Sequence, residues 1–309
     1  MVGKMGGVTV VEASRDSSPG LHGYWWKVLL GGVVLWILTI VVTARTENTN
    51  LIPTLILLGS FLVPFVVVLF VGARQEGVLS PVRLFSAFFI GGVFGVLGAS
   101  LLEVDLGKSA LQFALVGFIE EFVKLLILAI AARGITRRTA GLGASLGAVV
   151  GAGFAAFESA GYAFNAALGQ NTINLTSLLE TEVLRAALSP VGHILWTAIL
   201  GAALFSLRRP GRPVLRLILT FVGVSALHSL WDLIGPLSSF LAVLFTGTVR
   251  FELTYGHLPP SVAPEVAFIS LLMYIGGMVI IALIGINWLR LSVRHGTRRE
   301  QESADRSMR

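Results

Sequence analysis

Apolar runs of bilayer length, separated by short polar segments, dominate the pattern along this chain. They fall at about 24–43, 51–72, 82–102, 109–132, 139–168, 187–207, 214–235 and 264–290. Each is close to the roughly 20 apolar residues that cross a hydrocarbon core as a helix. The pattern therefore predicts an all-α polytopic membrane protein, with about eight transmembrane helices in one bundle. A further segment, 236–249 (PLSSFLAVLFTGTV), is apolar but short, so it is expected to be re-entrant or interfacial. Were it a span, the last helix would change direction.

Polar residues between the runs predict orientation. Arg74 and Arg83 flank the second loop, Arg133, Arg137 and Arg138 fill the fourth, and Arg208, Arg209, Arg212 and Arg216 fill the sixth. The alternate loops are poorer in basic residues: Arg45 with Glu47, then Glu103, Asp105 and Lys108, then Glu180, Glu182 and Arg185. Basic loops stay inside, which places both termini in the cytoplasm of a plasma or inner membrane. Residues 1–23 are polar and mixed in charge, so they are expected to be a cytoplasmic segment and not a cleaved signal. The membrane domain covers 24–290. The tail 291–309 is basic and is expected to be cytoplasmic and, from Arg290, disordered.

Composition agrees and narrows the chemistry. Of 309 residues 55% are hydrophobic and 13% charged, and the mean hydropathy is +0.83. A soluble core of this size would need more polar surface to cover it. The net charge of +6 belongs to loops and tail, and does not point to nucleic acid. With no cysteine there is no disulfide, thiol nucleophile or thiolate metal site. Any metal would sit on histidine and carboxylate.

Glycine recurs every four residues at Gly143, Gly147 and Gly151, and the third run has Gly91, Gly95 and Gly98. Small residues at this spacing predict close helix–helix packing, with no chemistry of their own.

Four sites break the apolar pattern: Glu120, Glu121 and Lys124 in the fourth span; Glu158 and Tyr162 in the fifth; His193 in the sixth; His228 and Asp232 in the seventh. Ionisable groups at membrane depth cost about 2.5–3.5 kcal/mol each on insertion scales, so chains seldom hold them idly. Adjacent residues point about 100° apart, so Glu120 and Glu121 cannot both face one small site squarely. Lys124 is i+4 from Glu120 and i+3 from Glu121. The expectation is that lysine holds one glutamate and leaves the other for chemistry. Glu158 and Tyr162 share a face, as do His228 and Asp232. At about 1.5 Å of rise per residue, all four sites fall between the bilayer centre and the outer leaflet. A lone histidine in a span is often only an interhelical hydrogen-bond partner; four sites at matched depth argue for a common centre. Imidazole and carboxylate suit zinc-type ligation around an open position. They equally suit metal-free activation of water by a glutamate. The HExxH pattern is absent.

The ordered set EExxK (Glu120, Glu121, Lys124), FExxxY (Phe157, Glu158, Tyr162), a histidine in the next span (His193) and HxxxD (His228, Asp232) resembles the PrsW family of intramembrane proteases. That family is related to the CAAX prenyl endopeptidases. The resemblance covers about 109–235, the motif core of what would be a protease domain over 24–290. It implies an intramembrane endopeptidase, metallo or glutamate-dependent, cutting membrane-anchored proteins such as an anti-sigma factor. It implies Glu120, Glu121, Glu158, His193 and His228 as catalytic residues, with Lys124, Tyr162 and Asp232 supporting. Zinc would sit on Glu158, His193 and His228. Where CAAX-type enzymes place a histidine in the second motif, this chain offers Glu158 and Tyr162, so prenylated substrates are less expected than transmembrane peptides. Two rivals remain at this stage: a non-catalytic scaffold or chaperone of the same fold, and a proton-coupled transporter.

Overall fold

Helix α5 (Ala140–Ala167) is the axis of the bundle. The computed structural model describes residues 23–107, 110–168, 173–208, 211–249 and 256–307. Around α5 stand α1 (Tyr24–Thr46), α2 (Ile52–Arg74), α3 (Pro81–Glu103), α4 (Ala110–Ala131), α6 (Leu175–Leu188), α7 (His193–Phe205), α8 (Pro213–Phe245) and α9 (Ala263–Ser307). The described residues contain no strand, only an isolated bridge between Leu168 and Ile173.

Burial runs from the axis outward. In α5, 78% of the apolar window is buried, against 6% in α1 and 11% in α9. The outer helices expose Leu30, Phe94 and Leu283. Apolar surface of this kind needs no cover when the solvent is lipid. Among the described residues, seven helical units are long and apolar enough to cross a membrane, one of them Leu175–Phe205, which joins α6 to α7. Helix α4 is 22 residues long and is interrupted at its centre only by Glu120, Glu121 and Lys124. The protein is therefore an integral membrane protein of all-α, polytopic fold.

Local chemistry places the helix ends. Ser80, Thr139 and Asn174 each accept a hydrogen bond from a backbone N–H of the first turn they cap. Pro81 and Pro213 open α3 and α8, where a missing N–H costs nothing. The chain leaving α4 is held by arginine: Arg83 Nη1 donates to Ala131 O and Arg133 O, and Arg138 Nη2 to Ala132 O. Cations at that end also meet the negative pole of the helix.

The glycine stripe packs as its spacing predicts. A Cβ on Gly143, Gly147 or Gly151 would run into the backbone oxygen of Gly201, Thr197 or His193 respectively. Helices α5 and α7 thus touch backbone to backbone, and the lowest of these contacts fixes the height of His193.

Three boundary expectations are corrected. Segment 236–249 is not a separate re-entrant piece, because α8 continues through Pro236 to Phe245. At 33 residues α8 spans about 50 Å, so it tilts or projects beyond the hydrocarbon. Residues 175–186, expected in an outer loop, form α6, and the sixth crossing begins at Leu175. Glu182 is buried there and accepts from Trp36 Nε1 at 2.8 Å. The tail, expected to be disordered from Arg290, prolongs α9 to Ser307. Extending an existing helix needs no new nucleus, so a polar sequence can follow it. The segment 1–22 and the loop charges Lys108 and Arg209 lie outside the described residues.

Candidate active site

Five helices contribute to one polar cluster inside the bundle. Helix α4 brings Glu120, Glu121 and Lys124, α5 brings Glu158, α6 brings Arg185, α7 brings His193, and α8 brings His228 and Asp232. His193 comes at a helix break. The sequence Ser189–Val191 makes a single 3-10 turn after α6, and α7 restarts at His193. Pro190 cannot donate to the preceding turn, so the helix does not run straight through. The break lets His193 lead its helix, with its carbonyl accepting from Thr197 Oγ1 at 2.8 Å.

Lys124 lies at the centre with its side chain fully buried. Its Nζ is 3.1 Å from Glu120 Oε2, 2.8 Å from Glu121 Oε1 and 2.8 Å from His193 Nδ1. An ammonium has three N–H donors and no acceptor, so these contacts use all of them. The lysine therefore holds both glutamates, where the sequence suggested one. Because Nζ can only donate, His193 Nδ1 carries the lone pair and Nε2 the proton. That Nε2 lies 2.9 Å from Glu158 Oε2. On the other wall, His228 Nδ1 lies 3.0 Å from Glu121 Oε1, so Nδ1 donates to the carboxylate and Nε2 is left facing Glu120 and Asp232.

Both imidazoles also flank one carboxylate oxygen. Glu120 Oε2 is 3.8 Å from His193 Nδ1 and 3.6 Å from His228 Nε2. Asp232 Oδ2 is 3.6 Å from His228 Nε2, a neighbouring charge rather than a hydrogen bond. The imidazoles are kept in place by rings: Trp196 lies 4.4 Å from His228 between centroids, and Phe154 5.2 Å from His193. Phe154 also faces the Lys124 ammonium at 4.0 Å.

Tyr162 stays out of this cluster. It is 53% exposed, and its ring lies 4.1 Å from the Arg185 guanidinium. Arg185 was hidden from sequence reasoning because its stretch read as a loop. It ion-pairs with Glu158, and its Nε donates to Ser159 Oγ at 2.8 Å. Its signal was present in the helical spacing of Leu178, Glu182 and Arg185, at i, i+4 and i+7.

A cleft of about 230 Å³ reaches the cluster beside His193 and Asp232. Leu184, Arg185, Leu188, Trp231 and Tyr274 line it, so α6, α8 and α9 together form its walls. Among the described residues, one group of metal-capable side chains has donor atoms within 4.8 Å of one another: Glu120, His193 and His228. Glu158, expected as a metal donor, lies with Oε2 2.9 Å from His193 Nε2. Each imidazole thus turns one nitrogen inward and has the other held by a carboxylate. Metal-binding histidines are oriented in this way. Two imidazoles and a carboxylate make a donor set of the zinc type, and an ion there would displace the Lys124 ammonium from His193 Nδ1 and Glu120 Oε2.

The sequence model described as PrsW family intramembrane metalloprotease matches residues 53–255. No curated protein and no solved structure matches the chain.

Proposed function

The chain belongs to the PrsW family of intramembrane metalloproteases, and on that premise we propose that it is an endopeptidase cutting membrane-anchored proteins at Glu120, His193 and His228. The observation that carries this reading is the gathering of Glu120, His193 and His228, with donor atoms within 4.8 Å of one another, beside a cleft lined by His193 and Asp232. A scaffold has no need of such an arrangement.

Glu120 is the carboxylate at the reacting centre. Its side chain is 7% exposed, while that of Glu121 is wholly enclosed between Lys124 and His228. Water adds to the scissile carbonyl carbon, and its proton passes to the Glu120 carboxylate. The C–N bond then breaks and the proton goes to the leaving nitrogen, giving a new carboxyl and a new amino terminus. Glu121 orients His228, and Glu158 orients His193. The buried ammonium of Lys124 offsets the negative charge that collects during the reaction. Glu120, His193 and His228 would hold zinc, which supplies Lewis acidity toward carbonyl and water when bound. Asp232 lines the cleft beside His193.

The substrate class is a membrane-anchored protein, with anti-sigma factors the instance the family resemblance implies. Both termini are assigned to the cytoplasm. The cluster of Arg83, Arg133 and Arg138 at the end of α4 opposite Ala110 supports this orientation. The test is a comparison of membrane-protein termini in cells carrying wild-type protein and Glu120→Gln. New termini present only with wild type are expected. Identical sets of termini would favour a scaffold.

A further inference from the structure

Arg185 makes contacts that no catalytic scheme based on the four motifs uses. Its guanidinium meets three α5 side chains at once: the carboxylate of Glu158, the hydroxyl of Ser159 at 2.8 Å and the ring of Tyr162 at 4.1 Å. The Glu158 oxygen it pairs with, Oε2, is the same one that lies 2.9 Å from His193 Nε2. A chain of contacts thus runs from α6 to α5 to the reacting centre. Glu158 is the weak link, since its side chain is 17% exposed and could otherwise swing toward the cleft. A planar guanidinium with several fixed donors suits a side chain that must be held from two directions.

The helix that carries Arg185 is itself fastened. Leu178 is fully buried against Leu55, Ala163 and Ala167, and Glu182 accepts from Trp36 at 2.8 Å. Gly59 leaves room for this carboxylate, because a Cβ there would overlap it. The arginine is therefore presented from a set position on α6.

We propose that Arg185 is a positioning residue for the hydrolysis. It holds Glu158 on the Nε2–H of His193, and so keeps the unprotonated Nδ1 turned toward Lys124 Nζ and Glu120. It touches no reacting atom. The inference rests on the assignment of His193 to the centre.

Two measurements on the full chain in lipid nanodiscs test it. The first is ring-nitrogen NMR with ¹⁵N-histidine, the His193 signals being assigned by their loss in His193→Ala. Wild type should show one protonated and one unprotonated nitrogen at His193. In Arg185→Ala the two shifts should converge as both tautomers are sampled, and Arg185→Lys should restore part of the separation. The second is kinetics on a peptide spanning the cut site found in the terminus comparison. Losing such an outer partner should lower kcat about 10–100-fold with KM changed less than about twofold. In a Glu158→Gln background, Arg185→Ala should cost nothing further. Unchanged His193 shifts in a folded Arg185 variant, or additive losses in the double variant, would overturn the proposal. If Arg185→Ala does not fold, Arg185→Gln and Glu158→Gln are read by the same criteria. The NMR result stands whether or not the protein cleaves anything, so failure of the protease reading is told apart.

Discussion

Lys124 Nζ lies 2.8 Å from His193 Nδ1, joining α4 to the first residue of α7. The contact acts together with Glu158 at Nε2 in favouring the lone pair at Nδ1, and it places a fully buried cation between two carboxylates. Removing that cation strands both. Lys124→Met is expected to destabilise the protein by about 3–5 kcal/mol, the cost of breaking a buried ion pair from one side. Thermal unfolding in detergent checks this. The double change Lys124→Met with Glu121→Gln should recover part of the loss.

Glu120→Gln and Glu121→Gln are each expected to abolish cleavage while the protein still inserts and folds. Gln keeps the shape and removes the charge. At Glu120 the loss is of the proton acceptor. At Glu121 it is of the group that holds His228 Nδ1 at 3.0 Å. Substrate cleavage in cells, with membrane yield as the folding control, measures both. Full activity in both variants would remove the hydrolase reading.

His193→Ala and His228→Ala are expected to lower activity at least about 100-fold, the scale of losing a catalytic donor. Chelation should inhibit the purified protein and zinc should restore it. Elemental analysis should find less zinc in each histidine variant than in wild type. Indifference to chelators, with both histidines still essential, would move the chemistry to glutamate alone.

Gly147→Ala is expected to destabilise the bundle, because the added Cβ would strike Thr197 O and lie 3.0 Å from Ala198 Cα. Overpacking of this kind costs about 1–3 kcal/mol. Gly161→Ala on the same helix meets nothing within 4 Å. It should be neutral or stabilising by up to about 1 kcal/mol. Paired melting curves decide whether the stripe acts through close approach or through helix propensity.

The cut is expected in the extracytoplasmic half of a substrate's span or just outside it. Glu120 is at the middle of α4, and His193 follows α6 inward from the side opposite the arginine loops. A helical substrate must unwind to offer a carbonyl there, so Gly or Pro near the scissile bond should speed cleavage. Mass spectrometry of the new termini checks the position. Cuts grouped on the cytoplasmic side would overturn the orientation.

The linear pattern was enough to show a membrane bundle, the approximate spans and the central polar residues. Apolar length and buried charge are properties of a helix in lipid, whatever it packs against. Periodicity also told which residues share a helix face, as with Glu120 and Lys124. It could not tell how separate helices are rotated against one another. That Glu120, not Glu158, shares a space with both histidines depends on the rotation of α5 and the close contact at Gly151. That Lys124 grips both glutamates depends on its long side chain turning into an enclosed space. Helix α6 was read as a loop because Leu175–Leu188 mixes charge with apolar residues. Leu178 and Glu182 are buried against other helices while Glu180, Val183 and Leu184 stay exposed, so hydropathy alone cannot register it. Arg185 became part of the site through that packing.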